Sequence, residues 1–310
     1  MQRPLKAHLS LVLVTLVWGC SFVLVKQALA DSSPLTLNAV RMALSAVLLS
    51  IYFRRNLLKL DRRAAAAGSI VGVFMFAGYA FQTEGLRLTT ASKSAFLTGG
   101  STVLVPLFLV VFWRTKIHRW RVVGILLALC GLFLMTVPAG RQGLADFANI
   151  NLGDILTIGC AVAFAFHIIF IGRASQRVPF EQIAVVQLIV SAGLMSIAAP
   201  LLEHPHLRLS PGVVVAILIT GILGTAVAFT VQAWAQQFTP ATHAALIFNL
   251  EPVFAWIASF LYLHERLGLR AGAGALLILA GVVVSELLGA VSGPDPELVK
   301  GLSGGSASVP

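Results

Sequence analysis

The chain has 310 residues, of which 58% are hydrophobic and only 11% charged, and its mean hydropathy is +0.91. A water-soluble domain of this length needs roughly 25% charged residues to cover itself, so lipid must be the solvent for most of these side chains. The net charge of +10 is gathered in short clusters between apolar runs and forms no continuous basic face, which argues against a nucleic-acid partner and for a topology signal.

In chain order the apolar runs predict ten helices, at about 8–29, 35–53, 64–82, 92–113, 120–137, 154–172, 180–202, 213–236, 242–263 and 269–288. Each is near the ~20 residues that cross a ~30 Å hydrocarbon core at 1.5 Å per residue. With the first residue inside, Lys and Arg divide 14 to 6 between inner and outer segments, Lys26 and Arg41 being left within helices. That excess predicts a multi-pass protein of a bacterial inner membrane with both termini cytoplasmic. Arg3, Lys6 and the box Ala28-Leu29-Ala30 imitate a signal peptide. The apolar stretch from Leu9 to Val25 is too long for one, and Lys26 interrupts the approach to the box, so it is read as the first span. Cys20, Cys130 and Cys160 all fall inside apolar runs and read as small buried hydrophobes.

Residues 88–131 and 238–281 align without a gap at an offset of 150. Gln82 falls on Gln232, Ala95 on Ala245, Val103 on Val253, Gly124 on Gly274 and Gly131 on Gly281. Earlier helices match at offsets of 145–146, where Ser45-Ala46 falls on Ser191-Ala192. The unit is therefore five helices, an odd number, and the second copy enters the membrane opposite to the first. Inverted repeats of this kind are a device of secondary transporters. The expected organisation is a first repeat at 8–137, a periplasmic linker at 138–152, a second repeat at 153–289 and a disordered cytoplasmic tail at 290–310, rich in Ser, Gly and Pro.

Trp18-Gly19 with Ser21-Phe22, Asn38-Ala39-Val40-Arg41, the 88–97 stretch, Asn249-Leu250-Glu251-Pro252-Val253 and Leu263-His264-Glu265-Arg266-Leu267 carry a resemblance. Together with the duplication, they make the chain resemble the EamA family of the drug/metabolite transporter superfamily over residues 8–289. The position matching Glu265 in the first half is Thr115, so that motif is intact only once. The resemblance implies ten helices in two repeats and transport of amino acids, sugars, nucleotide-derived metabolites or drugs, often outward.

Candidate site residues are polar or aromatic groups at depth. Glu251 lies in the ninth span, where a carboxylate costs roughly 2.5–3.5 kcal/mol. It is the candidate for proton coupling or for a substrate amine; the alternative is a protonated acid bonded to backbone kinked by Pro252. Asn38, Arg41 and Ser45 share one face of the second helix. Arg41 is placed to take a substrate carboxylate, or else to pair with Glu84 or pack onto backbone carbonyls. Trp18 and Ser21 fall on Phe164 and His167 at offset 146, positions suited to lining a central path. His167 reads as a proton relay or as a neutral bridge between helices. Tyr79, Gln82, Gln232 and Asn249 complete the expected substrate-binding set, mixing aromatic walls with a few polar groups. Trp113, Trp120 and Trp234 read as interface anchors, and the glycines at 124, 131, 274 and 281 as helix-packing sites.

No HExxH, GxxxxGK[ST] or GxSxG occurs, and the His-Pro-His at 204–206 has no further ligands nearby. No metal, cofactor or ATP chemistry is therefore expected. The sequence predicts a small-solute carrier in a lipid bilayer, working by alternating access and exporting amino acids or related compounds. An intramembrane enzyme built on Ser21 and His167, or a membrane protein that transports nothing, are the other readings.

Overall fold

Each apolar run closes its amide groups on itself as a helix, because hydrocarbon offers them no other partner. The computed structural model describes residues 2–89, 91–137, 140, 145, 149–263 and 268–290. The first repeat supplies α1 (Gln2–Ala28), α2 (Pro34–Tyr52), a turn α3 (Arg54–Leu57), α4 (Arg62–Leu88), α5 (Ala91–Gly99), α6 (Ser101–Trp113) and α7 (Arg119–Thr136). The second supplies α8 (Leu152–Ala174), α9 (Phe180–Leu202), α10 (Pro211–Gly221), α11 (Ala228–Ala235), α12 (Ala241–Phe248), α13 (Glu251–Leu263) and α14 (Leu269–Ala290). Among the described residues nine stretches are long and apolar enough to cross a membrane, and α14, with 22 residues, completes ten.

Three spans differ from the uniform helices expected. The fourth is interrupted at Gly100, between α5 and α6, and the ninth at Asn249–Leu250, between α12 and α13. The eighth widens into a π-helix over Ile222–Val227, between α10 and α11. In addition α1 starts six residues before position 8, and α4 runs six beyond 82. Residues 264–267 and 291–310, most of 138–148 and the side chain of Lys26 lie outside the described part, so the Glu265 motif, the tail and most of the linker are not described.

Helices α7 and α14 interlock through glycine. A Cβ on Gly124 would sit 2.5 Å from the Gly281 carbonyl oxygen, and one on Gly274 would sit 2.5 Å from that of Gly131. Offset 150 sends Gly124 to Gly274 and Gly131 to Gly281, so the observed pairs exchange places under the repeat. That is the contact pattern of a pseudo-two-fold axis between the halves, and backbones can approach this closely only without side chains.

Apolar clusters pack the spans together, and two of them are the largest. Leu35, Met42, Met75, Leu188 and Met195 join α2, α4 and α9. Leu11, Leu109, Leu132, Ile169 and Ile247 join α1, α6, α7, α8 and α12. Several buried hydroxyls are bonded within their own helices, as with Thr15 to Leu11 O, Thr157 to Gly153 O and Thr220 to Ala216 O. Glu203 crosses between halves, accepting from the Leu35 and Thr36 backbone N–H at 3.0 and 2.7 Å. It caps the first turn of α2 where a carboxylate suits the helix dipole. Leu13, Ile51, Phe112, Leu126 and Leu276 are exposed, an apolar exterior that fits lipid. Cys20 and Cys130 also lie on this exterior; of the three cysteines only Cys160 is buried, which corrects the expectation for the other two.

Candidate functional site

The two interruptions are one feature repeated, since Gly99 and Gly100 fall on Asn249 and Leu250 at offset 150. Breaking a helix strands carbonyls that must find other donors. At the second break the Asn249 N–H bonds to Leu246 O, and the freed Ala245 carbonyl accepts the Thr102 hydroxyl at 3.1 Å, from the first turn of α6. Pro252 does not kink a continuous helix, as the sequence suggested; it lies in the first turn of α13, where a missing N–H costs nothing.

Beside the breaks, four rings surround the axis. Trp18 meets Phe229 with centroids 5.4 Å apart, and Tyr79 meets Phe164 at the same distance. These contacts are also repeat-mates: Trp18 maps to Phe164 at offset 146, and Tyr79 to Phe229 at 150. Tyr79 and Phe229 close the box across the axis at 6.3 Å, and Phe248 adds a fifth ring 5.1 Å from Trp18. The Trp18 indole donates to Gly224 O at 2.8 Å, and Ser45 donates to Gly221 O at 2.6 Å. Side chains of the first repeat thus satisfy two carbonyls in and beside the π-helix, a conformation that recurs at functional sites.

Charge enters this box unevenly. The Arg41 guanidinium lies 4.5 Å from the centre of the Tyr79 ring, a cation–π contact from a residue 7% exposed. It does not pair with Glu84, which bonds Arg87 at 2.8 Å within α4. The reason is reach along the helix: Glu84 sits one turn nearer the end of α4 than Tyr79, beside Arg87 at i+3. At offset 146 the counterpart of Arg41 is Gln187, and at 150 the counterpart of Glu251 is Ser101. Each repeat therefore gives one charge that the other lacks. Glu251 is the first residue of α13 and is half-buried. Its backbone carbonyl lies against Gly19 of α1, 2.8 Å from where a Cβ would stand.

The other expected residues distribute around these. Asn38 donates to the Thr83 hydroxyl at 2.9 Å, and Thr83 to Tyr79 O. His167 stands edge-on to Phe229 and shares a 3.0 Å hydrogen bond between Nε2 and Gln187 Oε1. Ser21 donates to Val17 O at 2.6 Å, so it and His167 are bonded to separate groups. Gln232 donates to Gln236, which in turn donates to Ile168 O. Gln82 is half-buried on α4, and Asn249 lies buried at the second break. Among the described residues Arg41 Nε, Gln187 Nε2, Gln232 Oε1 and Asn249 Nδ2 are buried without hydrogen-bond partners. Such atoms are rare in folded proteins and are the ones a polar solute or water can satisfy. Sequence reasoning missed Gln187 and Phe229; applying the repeat offsets to Arg41 and Tyr79 would have found both. A separate cavity of about 210 Å³ lies beside Gly100 between Phe96, Leu129 and Ile158, but its walls are apolar and hold none of these groups.

The EamA-like transporter family matches this sequence twice, over residues 5–137 and 151–287. A protein of Archaeoglobus fulgidus named as an uncharacterized transporter is 33% identical over 92% of this chain and 87% of its own length. The transporter YoaV of Bacillus subtilis is 23% identical over 90% and 96%, and a WAT1-related chloroplastic protein of Arabidopsis thaliana is 25% identical over 86% and 66%. A crystal structure with 17% identity superposes with a TM-score of 0.74 over 93% of this chain and 99% of the other, which shows a shared fold.

Proposed function

This chain belongs to the EamA-like transporter family, and from that premise we propose an alternating-access carrier that exports amino acids or related small metabolites. The observation that carries the proposal is the pair of interrupted spans at repeat-related positions, flanking a box of aromatic rings with unsatisfied polar atoms. Interrupted helices in corresponding positions of two inverted halves mark binding sites in such carriers. Arg41 and Glu251, one from each half, suit a small zwitterion: the guanidinium for its carboxylate, the carboxylate for its amine. Glu251 also serves as the proton-coupling group, releasing its proton when the path opens to water. Trp18, Ser21, Asn38, Tyr79, Gln82, His167, Gln232 and Asn249 complete the substrate-binding set. The excess of basic residues in the inner segments supports a bacterial inner-membrane location with both termini cytoplasmic.

The test is uptake of a labelled panel of amino acids and small metabolites into proteoliposomes, with and without an imposed pH gradient. Saturable transport driven by the gradient is expected, and in Glu251→Gln that driving should disappear while the protein remains folded. Gradient-driven transport undiminished in Glu251→Gln would remove the proton-coupling role. No flux of any panel member would remove the amino-acid assignment.

A further inference from the structure

At one end of the bundle, Lys93 of α5 meets Asp154 of α8, with 2.6 Å between Nζ and Oδ2. Both side chains are buried, at 7% and 2% exposure. Lys93 also donates to Asn149 O at 2.6 Å, and Asp154 accepts from the Thr89 hydroxyl and, at 2.9 Å, from the Asn151 backbone N–H. The pair is charge-assisted and hydrogen-bonded on both partners, the condition under which a buried ion pair holds. Lys93, one of the six Lys and Arg residues that the sequence assigns to outer segments, is therefore corrected to a buried ion-pair partner.

The repeat offsets carry this pair to the opposite end. Offset 150 takes Lys93 to His243, and offset 146 takes Asp154 to His8. His8 and His243 are in contact, ring edge to ring face, with centroids 5.9 Å apart. Neighbours follow the same rule. Gly153 packs against Gly85 beside the ion pair, and their counterparts Ala7 and Ala235 are fully buried in one cluster beside the histidines. Both contacts join the first helix of one repeat to the first turn of an interrupted span of the other, and because the repeats are inverted they lie at opposite ends of the bundle.

We propose that Lys93–Asp154 and His8–His243 are the two gates of this carrier, parting in turn, and that the ion-paired gate is the tighter one at rest. The inference rests on the carrier reading. It assigns four positioning residues and a direction: the resting molecule opens at the end where α1 begins. An inverted repeat exchanges its open and closed ends by exchanging the conformations of its halves. Equal gates would leave the two states balanced. A buried ion pair at one end and two imidazole rings at the other differ in chemistry, and that difference unbalances them.

A cysteine at Ser21, in a chain whose Cys20, Cys130 and Cys160 are replaced by alanine, reports water access to the path. Its reaction with a membrane-impermeant thiol reagent is timed from each side of oriented vesicles. Without further change, reaction is expected to be at least tenfold faster from the α1-start side. Asp154→Asn should raise the rate from the other side tenfold or more. Exchanging the pair, Lys93→Asp with Asp154→Lys, should return it toward the starting value, which a misfolded variant would not do. A disulfide formed by His8→Cys with His243→Cys should stop reaction from the α1-start side until reductant is added. Rates equal from both sides and unmoved by Asp154→Asn or the disulfide would overturn the gates. Uptake of the labelled amino-acid panel is followed in matched vesicles whose chains keep Ser21. Access that switches while no panel member moves supports the gates and overturns the substrate reading alone. Transport that continues through the disulfide overturns the gates alone.

Discussion

Thr102, in the first turn of α6, donates its hydroxyl to the carbonyl of Ala245 in α12, so that one interrupted span repairs the other across the boundary between the repeats. Its repeat-mate is Pro252, which has no hydroxyl to return the bond to Ala95. Only one of the two breaks is stabilised in this way. Thr102→Val should therefore lower stability by about 1 kcal/mol, the usual net worth of such a bond, while Thr102→Ser leaves it near the starting value. Thermal unfolding in detergent compares the two.

The glycine interlock of α7 and α14 predicts a steric effect. Gly131→Ala puts a methyl against the Gly274 carbonyl oxygen, and Gly274→Ala puts one against the Gly131 carbonyl oxygen at 2.5 Å. Overpacking of this kind costs about 1–3 kcal/mol. Each substitution should lower the melting temperature on the order of 5 °C. Because both act on one crossing, the double variant should lose less than the sum. Gly193→Ala, with nothing within 4 Å of the new methyl, is the control and should leave melting unchanged.

Trp18 holds the π-helix by its indole N–H to Gly224 O. Trp18→Phe preserves an aromatic ring toward Phe229 and Phe248 but removes that donor. Amide exchange over residues 222–227 should quicken several-fold relative to α10, with overall unfolding shifted by about 1 kcal/mol or less. Unchanged exchange there would mean that the widened turn holds without the indole.

Arg41 and Tyr79 predict a substrate effect under the proposed function. Lysine keeps the charge but loses the planar fork that stacks on a ring and grips a carboxylate. Arg41→Lys should raise the KM for carboxylate-bearing solutes about tenfold, or about 1.4 kcal/mol, with a smaller change in maximal rate. Uptake kinetics on one transported solute supply the comparison.

Much of this fold can be read in the residues, because lipid enforces long apolar runs and a duplicated chain repeats its own spacing. The glycines of α7 and α14 stood out for the same reason, as small residues at matching positions. The interruptions at Gly100 and Asn249–Leu250 did not, since apolar content continues through them and hydropathy does not register a broken backbone hydrogen bond. The π-helix left no mark either: its counterpart, residues 72–77 of α4, is an ordinary α-helix. Partners were the hardest to read. Arg41 had a carboxylate available at Glu84 and lies on Tyr79 instead, and Lys93 finds Asp154 sixty-one residues away. Those pairings depend on which helices adjoin, which composition does not contain.

On the α7–α14 seam each glycine of one helix meets the repeat-mate of that helix's other glycine, the self-complementary pattern of a two-fold dimer. The covalent connection through residues 138–148 accordingly works as a tether that raises the local concentration of two matching surfaces. Cut there, the two polypeptides should find each other when co-expressed. Fusion fixes their stoichiometry at one to one, and it lets each copy specialise, one keeping the cation at position 41 and the other the acid at 251.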